Sequence, residues 1–122
     1  MLIEKVHELI ETWKRQDVDG VLAMLDDDVV YHYHVGSPPL EGREKVRKFL
    51  ERFGKGQEDI RWRIDNHAEN DDLLLVEGRD IYRKGGVEID LPYMGIFRFR
   101  DGRIVEWRDH FDMGELKKQM DG

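Results

Sequence analysis

The amino-acid sequence predicts an α+β fold in which a cone-shaped, curved antiparallel sheet packs on N-terminal helices. Apolar residues recur with the helical period in the first half of the chain, and they alternate with the strand period in the second half. The pairs Gly85-Gly86 and Asp101-Gly102 divide the later runs, and such pairs favour tight hairpin turns. With 122 residues, the chain is expected to form a single domain, residues 1–122.

Three helices are predicted in the first half of the chain. The first runs from Leu2 to about Gln16, because Leu2, Val6, Leu9 and Trp13 form one apolar stripe. A short second helix follows over 18–25. The third helix ends at the glycines of 54–56, and its apolar face consists of Val46, Phe49, Leu50 and Phe53.

The strands are predicted from β-branched and aromatic runs. The first covers 29–35, and the four later runs cover 60–68, 73–83, 87–100 and 103–113. Pro92 interrupts the third of these runs and predicts a bulge or a bend there, and a short helix over 114–120 follows the last run. A bent sheet that wraps over helices leaves a conical cavity, which is where a ligand site is expected.

The composition excludes several classes of partner. A formal charge of -7 repels phosphate groups, so neither nucleic acid nor a membrane surface is expected as a partner. The chain has no cysteine, which excludes disulfides and cysteine-based zinc sites. It also has no apolar run of about 18 residues and no signal peptide, so a cytoplasmic location is expected.

Two aspartates lie in phase with apolar residues of their strands. Asp109 shares a strand face with Trp107 and Phe111, and Asp80 shares one with Val76 and Tyr82. An ionised carboxylate in such surroundings is costly unless it is paired. One explanation is a structural pair with a nearby donor; the other, which the shared parity favours, is a general acid and base with shifted pKa values.

His32 and His34 point to the same face of the first strand by parity. Their spacing matches two ligands of a metal site, but stacked core histidines or a proton relay need no metal. We therefore predict no metal and no cofactor, with His32 and His34 as catalytic residues that position water or substrate. The predicted lining of the cavity, taken from the same strand faces, is Trp62, Val76, Gly78, Tyr82, Trp107 and Phe111.

The segment Trp107-Arg108-Asp109-His110-Phe111-Asp112, preceded by the run from Gly95 to Ile104, resembles the SnoaL-like and limonene epoxide hydrolase-like families. Asp26-Asp27-Asp28-Val29-Val30 and Leu40-Glu41-Gly42-Arg43-Glu44 extend the resemblance over nearly the whole chain. It implies the nuclear-transport-factor-two-like fold, which ketosteroid isomerase and scytalone dehydratase share.

In limonene epoxide hydrolases, an Asp-Arg-Asp unit works with a Tyr and an Asn that hold the attacking water. The resemblance implies Asp109 as the base and Asp80 as the acid. The arginine position falls on Gly78, and the Tyr and Asn positions, counted back from Gly42-Arg43, fall on His32 and His34. Loss of the arginine would raise one aspartate pKa, unless a histidinium restores the positive charge.

Two function classes follow from this constellation. The first is a cofactor-free acid-base enzyme that acts on a small hydrophobic molecule, of the epoxide hydrolase or of the isomerase and cyclase type. The alternative is a non-catalytic module that binds a small apolar ligand in the same cone, with Gly78 widening the cavity. Either agrees with a homodimer through the outer sheet face, where Ile81 stands among Glu77, Arg79 and Arg83.

Overall fold

A curled sheet with helices packed against it forms the fold, as the sequence predicts. The computed structural model describes residues 1–34 and 36–121. The helices are α1 (Leu2–Lys14), α2 (Val18–Ala23), α3 (Arg43–Gly54) and α4 (Met113–Asp121). The strands are β1 (Leu25–His32), β2 (Leu40–Glu41), β3 (Gln57–Glu58), β4 (Arg63–Glu69), β5 (Leu73–Lys84), β6 (Val87–Arg100) and β7 (Arg103–His110).

The described strands form one sheet in the order β2-β1-β7-β6-β5-β3, and β4 also pairs with β5. The pairs β4–β5, β5–β6 and β6–β7 are antiparallel, as the hairpin signals predict. β1 departs from the predicted antiparallel pattern, because it pairs with β7 in parallel. Parallel neighbours need a long connection, and nearly the whole sheet lies between these two strands in the chain.

The core lies between the inner face of the sheet and α1. The apolar stripe of α1 is buried, with Val6 and Leu9 fully inaccessible, and burial of each such side chain stabilises the fold by about 1.5–3 kcal/mol. The Glu69 carboxylate on β4 accepts hydrogen bonds from the backbone N–H groups of Leu2 and Ile3. This contact fixes the start of α1 on the sheet.

The first strand differs from its predicted bounds. It begins at Leu25, whereas the sequence pattern starts it at Val29; its predicted end, Val35, lies outside the described residues. Aspartate is depleted in β-strands. Here Arg100 at the end of β6 forms ion pairs with both Asp26 and Asp28. The acidic segment is part of the strand because Leu25 pairs with Ile104 of β7, and the ion pairs with Arg100 reduce the repulsion between its aspartates.

Of the bulge or bend predicted at Pro92, the bulge is absent from the described ladder. Pro92 pairs in register with Arg79, and the irregularity of β6 lies instead between Arg98 and Phe99. The pairs that β6 makes with β7 begin at Met94, two residues later. Because Pro92 has no partner on that side, its missing N–H interrupts no hydrogen bond.

Candidate active site

A cavity of about 190 Å³ opens between the inner sheet face, α3 and α4. Its wall is mostly aromatic, and Asp80 on β5 and Asp109 on β7 both line it. A second pocket of about 40 Å³ adjoins this cavity, and Trp62, Tyr93 and Trp107 line it together with the same two aspartates. The full lining is Tyr31, Tyr33, Phe49, Phe53, Asp80, Tyr82, Leu91, Tyr93, Asp109, Phe111, Met113 and Leu116.

Asp109 is held by hydrogen bonds to both of its oxygens. The Tyr31 hydroxyl donates to Oδ2 at 2.8 Å, and Trp107 Nε1 donates to Oδ1 at 2.9 Å. Burial raises the pKa of Asp109 to about 7, while these two donors and Tyr93 act in the opposite direction. The position of this carboxylate is therefore fixed, and its proton affinity is near neutrality.

Asp80 is different, because no donor among the described residues reaches its carboxyl group. Burial alone raises the pKa of Asp80 to about 6. The charge of Asp80 also raises the pKa of Asp109, so the two groups interact across β6. Two carboxyl groups with raised pKa values in one aromatic cavity are the arrangement that acid-base chemistry near neutral pH requires.

The histidines do not line this cavity, in contrast to the sequence prediction. On β1, Val29 and Tyr31 are the buried residues, and His32 lies on the opposite face beside Arg108 in the ladder. His34 contacts the Phe111 ring, with 5.2 Å between ring centroids. The Asp-His constellation is thus corrected: Tyr31 and Tyr33, each one residue earlier, face the aspartates.

The other predicted lining residues divide into two groups. Tyr82 and Phe111 line the main cavity, and Trp62 and Trp107 line the adjoining smaller pocket. Val76 does not line it, because its side chain is 1% exposed and packs in the hydrophobic core. Gly78 does not widen it either, since a Cβ built there would lie 1.8 Å from the carbonyl oxygen of Arg63.

Gly78 is therefore required by a close approach of β4 to β5. We predict that Gly78→Ala lowers the free energy of unfolding by at least about 1–3 kcal/mol, because the backbone of Arg63 must move. Urea denaturation measures the change. Gly114→Ala on α4 is the control and should change the free energy of unfolding far less, since its Cβ would lie 3.2 Å from Asp112 Oδ1 and meet no backbone atom. Equal stability of Gly78→Ala and wild type would contradict the steric explanation.

Tyr31, Tyr33, Tyr93 and the α3 residues Phe49 and Phe53 are site residues that the sequence interpretation missed. For Tyr31 and Tyr33, the alternation of apolar residues along the first strand contained the necessary signal. The more apolar face of a half-buried strand is the one that faces the core. In the predicted strand 29–35, Val29, Tyr31 and Tyr33 share that face, and β1 itself ends at His32.

A protein-family model described as the SnoaL-like domain matches residues 6–107. The chain belongs to the SnoaL-like family. Epoxide hydrolase EphG of Mycobacterium tuberculosis (strain ATCC 25618 / H37Rv) is 29% identical over 113 residues, which cover 93% of this chain and 74% of the relative. The predicted resemblance is confirmed at the level of the family.

Solved structures agree with this assignment. The structure of an M. tuberculosis LEH-like epoxide hydrolase is 28% identical, with a TM-score of 0.83 over 98% of this chain and 90% of that chain. An ntf2-like protein of unknown function from Burkholderia pseudomallei K96243 is 26% identical, with a TM-score of 0.86 over 98% and 97% of the two chains. These matches confirm the nuclear-transport-factor-two-like fold of the SnoaL-like domain.

Two further properties concern metals and membranes. Within residues 1–34 and 36–121 of the SnoaL-like domain, no three histidine, aspartate or glutamate side chains come together as metal ligands. The helices of this part of the chain are also too short or too polar to span a membrane.

Proposed function

We propose that this SnoaL-like domain hydrolyses the epoxide of a small hydrophobic molecule by acid-base catalysis, without a cofactor. The main support is the arrangement of the two aspartates: Asp109, held by Tyr31 and Trp107, shares an aromatic cavity with Asp80, which has no hydrogen-bond donor among the described residues. The similarity to two proteins described as epoxide hydrolases supports the choice of substrate class.

Burial raises the pKa of Asp80 to about 6 and that of Asp109 to about 7, and the charge of Asp80 contributes to the rise at Asp109. Near neutral pH the pair therefore holds about one proton, which either group can carry. Hydrogen bonds from Tyr31 and Trp107 hold the Asp109 carboxylate in place, and within the described residues no donor reaches Asp80. The resemblance implies Asp109 as the base and Asp80 as the acid, so the reactive form is the one in which Asp80 carries the proton.

The reaction then proceeds by addition of one water molecule. Asp109 accepts a proton from the water molecule while the oxygen of that water forms a bond to one epoxide carbon. The bond between that carbon and the epoxide oxygen breaks, and Asp80 donates its proton to the oxygen. The product is a diol, and return of one proton from Asp109 to Asp80 through solvent restores the site.

The test is diol formation from a panel of small epoxides, such as styrene oxide and cyclohexene oxide, beside a panel of enolisable ketones. Turnover of epoxides with a rate above background supports the proposal. Turnover of ketones alone would replace it with an isomerase. Tight binding of apolar ligands without turnover on either panel would replace it with the non-catalytic binding module.

An isomerase is the second candidate because of one specific difference. Gly78 stands where the resemblance implies an arginine, so the site contains two carboxyl groups and no cation between them. A proton moved beside a carbonyl requires a base and an acid but no attacking water. The ketone panel distinguishes this reaction from hydrolysis.

Tyr31→Phe tests how the base is held. Loss of a hydrogen bond to a charged group costs about 1.5 kcal/mol, which raises the pKa of Asp109 by about one unit. Because the base must be ionised, the acidic limb of the kcat/KM profile should move to higher pH by that amount. Tyr33→Phe, which removes a hydroxyl from the same strand face, should leave the limb where it is. An unmoved limb in Tyr31→Phe would contradict the assigned role.

We also propose that the protein is cytoplasmic. A further proposal is a homodimer that forms through the outer sheet face. Ile81, which motivated this interface in the sequence, is 8% exposed and is covered by its own chain. Leu75 and Met94 are the exposed apolar residues of that face, at 41% and 54%. Sedimentation should show a dimer that dissociates in Met94→Asp, and a monomeric wild-type protein at micromolar concentration would contradict the proposal.

A further inference from the structure

The charged groups that line the cavity all have the same sign. Asp80 and Asp109 are its charged lining residues, and no lysine or arginine of the described chain lines the cavity beside them. Within residues 1–34 and 36–121, the Asp80 carboxyl group has no hydrogen-bonding partner either. A buried carboxylate is costly unless an opposite charge lies near it, so this arrangement favours a ligand that brings a positive charge.

The aromatic wall attracts cations as well. Rings from β1, α3 and the segment before α4 line the cavity with the aspartates, among them Tyr33, Phe49 and Phe111. The face of an aromatic ring carries partial negative charge, and cages of such rings recognise quaternary ammonium ions. The cavity therefore offers an organic cation two kinds of partner, carboxylates and rings.

The other titratable groups of the lining are phenols, and they contribute no charge. Burial raises the pKa of Tyr82 to about 12 and holds the pKa values of Tyr31 and Tyr93 well above their ordinary value. Tyr33 is the fourth phenol of the lining, and the side chains that α3 and α4 add to it are apolar. Only the two aspartates therefore set the charge of the cavity lining.

Two basic side chains contact the outside of the aromatic wall. The Lys84 ammonium group lies 5.7 Å from the centroid of the Phe53 ring and donates a hydrogen bond to the Phe53 carbonyl oxygen. The His34 ring contacts Phe111. Neither basic side chain lines the cavity, so a counter-charge in contact with the aspartates must come from a ligand.

The lining favours an organic cation over a metal ion. Calcium and magnesium take several oxygen ligands, whereas no three histidine, aspartate or glutamate side chains of the described residues come together as ligands. The apolar part of the wall suits alkyl groups attached to a charged nitrogen. A cavity of about 190 Å³ has room for such an ion.

We propose that the cavity binds a small organic ammonium ion, with its charge beside Asp80 and Asp109 and its alkyl groups against the aromatic wall. This ligand class goes beyond the proposed reaction, because binding needs no turnover. The ammonium ion occupies the same space as the epoxide and pairs with the base, so the two ligands compete.

Choline and 3,3-dimethylbutan-1-ol form the test pair. The two molecules have the same shape, but a carbon atom of the alcohol replaces the charged nitrogen of choline. The charge of choline does not change with pH, so a pH dependence of its affinity reports on the protein. Calorimetry at about pH 8 should show at least about 10-fold tighter binding of choline than of the alcohol.

The affinity for choline should rise with pH. A cation binds best when both aspartates are ionised, so the affinity should be lowest below about pH 5, where both carboxyl groups are protonated. It should increase as the pH passes about 6 and about 7, the pKa values of Asp80 and Asp109. The affinity for 3,3-dimethylbutan-1-ol should show no such increase.

Asp80→Asn and Phe111→Leu test the two kinds of partner separately. At about pH 8, Asp80→Asn should lower the affinity for choline about 10-fold and leave that for the neutral alcohol within about twofold. Phe111→Leu keeps an apolar side chain and should lower the affinity for choline about 2- to 5-fold. Asp65→Asn removes an exposed carboxylate that does not line the cavity, so both affinities should remain unchanged.

Three results would overturn the cation site: no binding of choline at millimolar concentration, equal affinities for choline and the alcohol, or a choline affinity that depends neither on pH nor on Asp80. If wild type binds choline as expected but hydrolyses no epoxide, the cation site stands and the proposed reaction is wrong. Turnover of epoxides without binding of choline would give the reverse conclusion.

Discussion

Replacement of Asp109 by asparagine is expected to lower kcat for epoxide hydrolysis by about 10²–10⁴-fold. An amide cannot accept the proton that the attacking water must lose. The side chain keeps the size of the carboxylate, and its oxygen can still accept a hydrogen bond from Tyr31 or Trp107. The fold is therefore expected to survive, and the loss should appear in kcat rather than in the unfolding midpoint.

His32→Asn is the matched control for this experiment. Its side chain lies on the opposite face of β1 from Tyr31, so kcat should stay within about twofold of wild type. Steady-state rates across the pH range, with the unfolding midpoint of each variant, provide the comparison. Full activity in Asp109→Asn would overturn the assignment of the base, and a large loss in His32→Asn would contradict the orientation of β1.

Replacement of Asp80 by asparagine is expected to stabilise the protein at high pH. Burial raises the pKa of Asp80 from 3.8 to about 6, so the folded state disfavours its ionised form. The stability that protonated Asp80 contributes is fully present below the pKa of this group in the unfolded chain. It is lost as the pH rises through about 6, the pKa in the folded protein. At about pH 8, an ionised Asp80 should cost roughly 3 kcal/mol, which Asp80→Asn removes.

Urea denaturation at several pH values tests this sign. The gain in Asp80→Asn should be largest at about pH 8 and absent at about pH 4. Asp65→Asn is a control of opposite sign, because its ion pair with Arg63 lowers the pKa of this exposed carboxyl group. It should give no gain at high pH. Lower stability of Asp80→Asn at high pH would show that the carboxylate has a partner in the folded protein.

Strand parity was sufficient to place the two aspartates together. The period of two along β5 and β7 puts Asp80 and Asp109 on the apolar faces of their strands, and the curved sheet turns both faces into one cavity. The same reasoning places Trp107 and Tyr82 beside them. Periodicity succeeds there because both strands have one clearly apolar face.

The two faces of the first strand are hard to tell apart in the sequence, because histidine and tyrosine alternate along it. Both residue types are amphipathic, so the contrast between the two faces is weak. Counting from Gly42-Arg43 put the site one residue too late, on His32 and His34. A shift of one residue exchanges the faces of a strand, and it replaced two phenols with two imidazoles in the predicted site.

The roles of Gly78 and Tyr93 could not be predicted from local patterns. Gly78 is needed because the Arg63 carbonyl, from another strand, occupies the space of its missing Cβ. In the sequence, Tyr93 is one more aromatic residue of β6. Its hydroxyl lies within reach of Asp109, and a Cβ on Gly95 would lie 2.2 Å from that hydroxyl. Contacts between strands decide both positions, and a single-strand pattern does not contain them.

Direct attack of water, with Asp109 as its base, is tested by one turnover of styrene oxide in water labelled with heavy oxygen. The protein is present in excess over the epoxide. If Asp109 removes a proton from water, the diol of this first turnover carries one heavy oxygen atom and the mass of the protein does not change. If the diol is unlabelled and the heavy oxygen is found in the carboxyl group of Asp109 or Asp80, an ester intermediate has formed and the account is wrong.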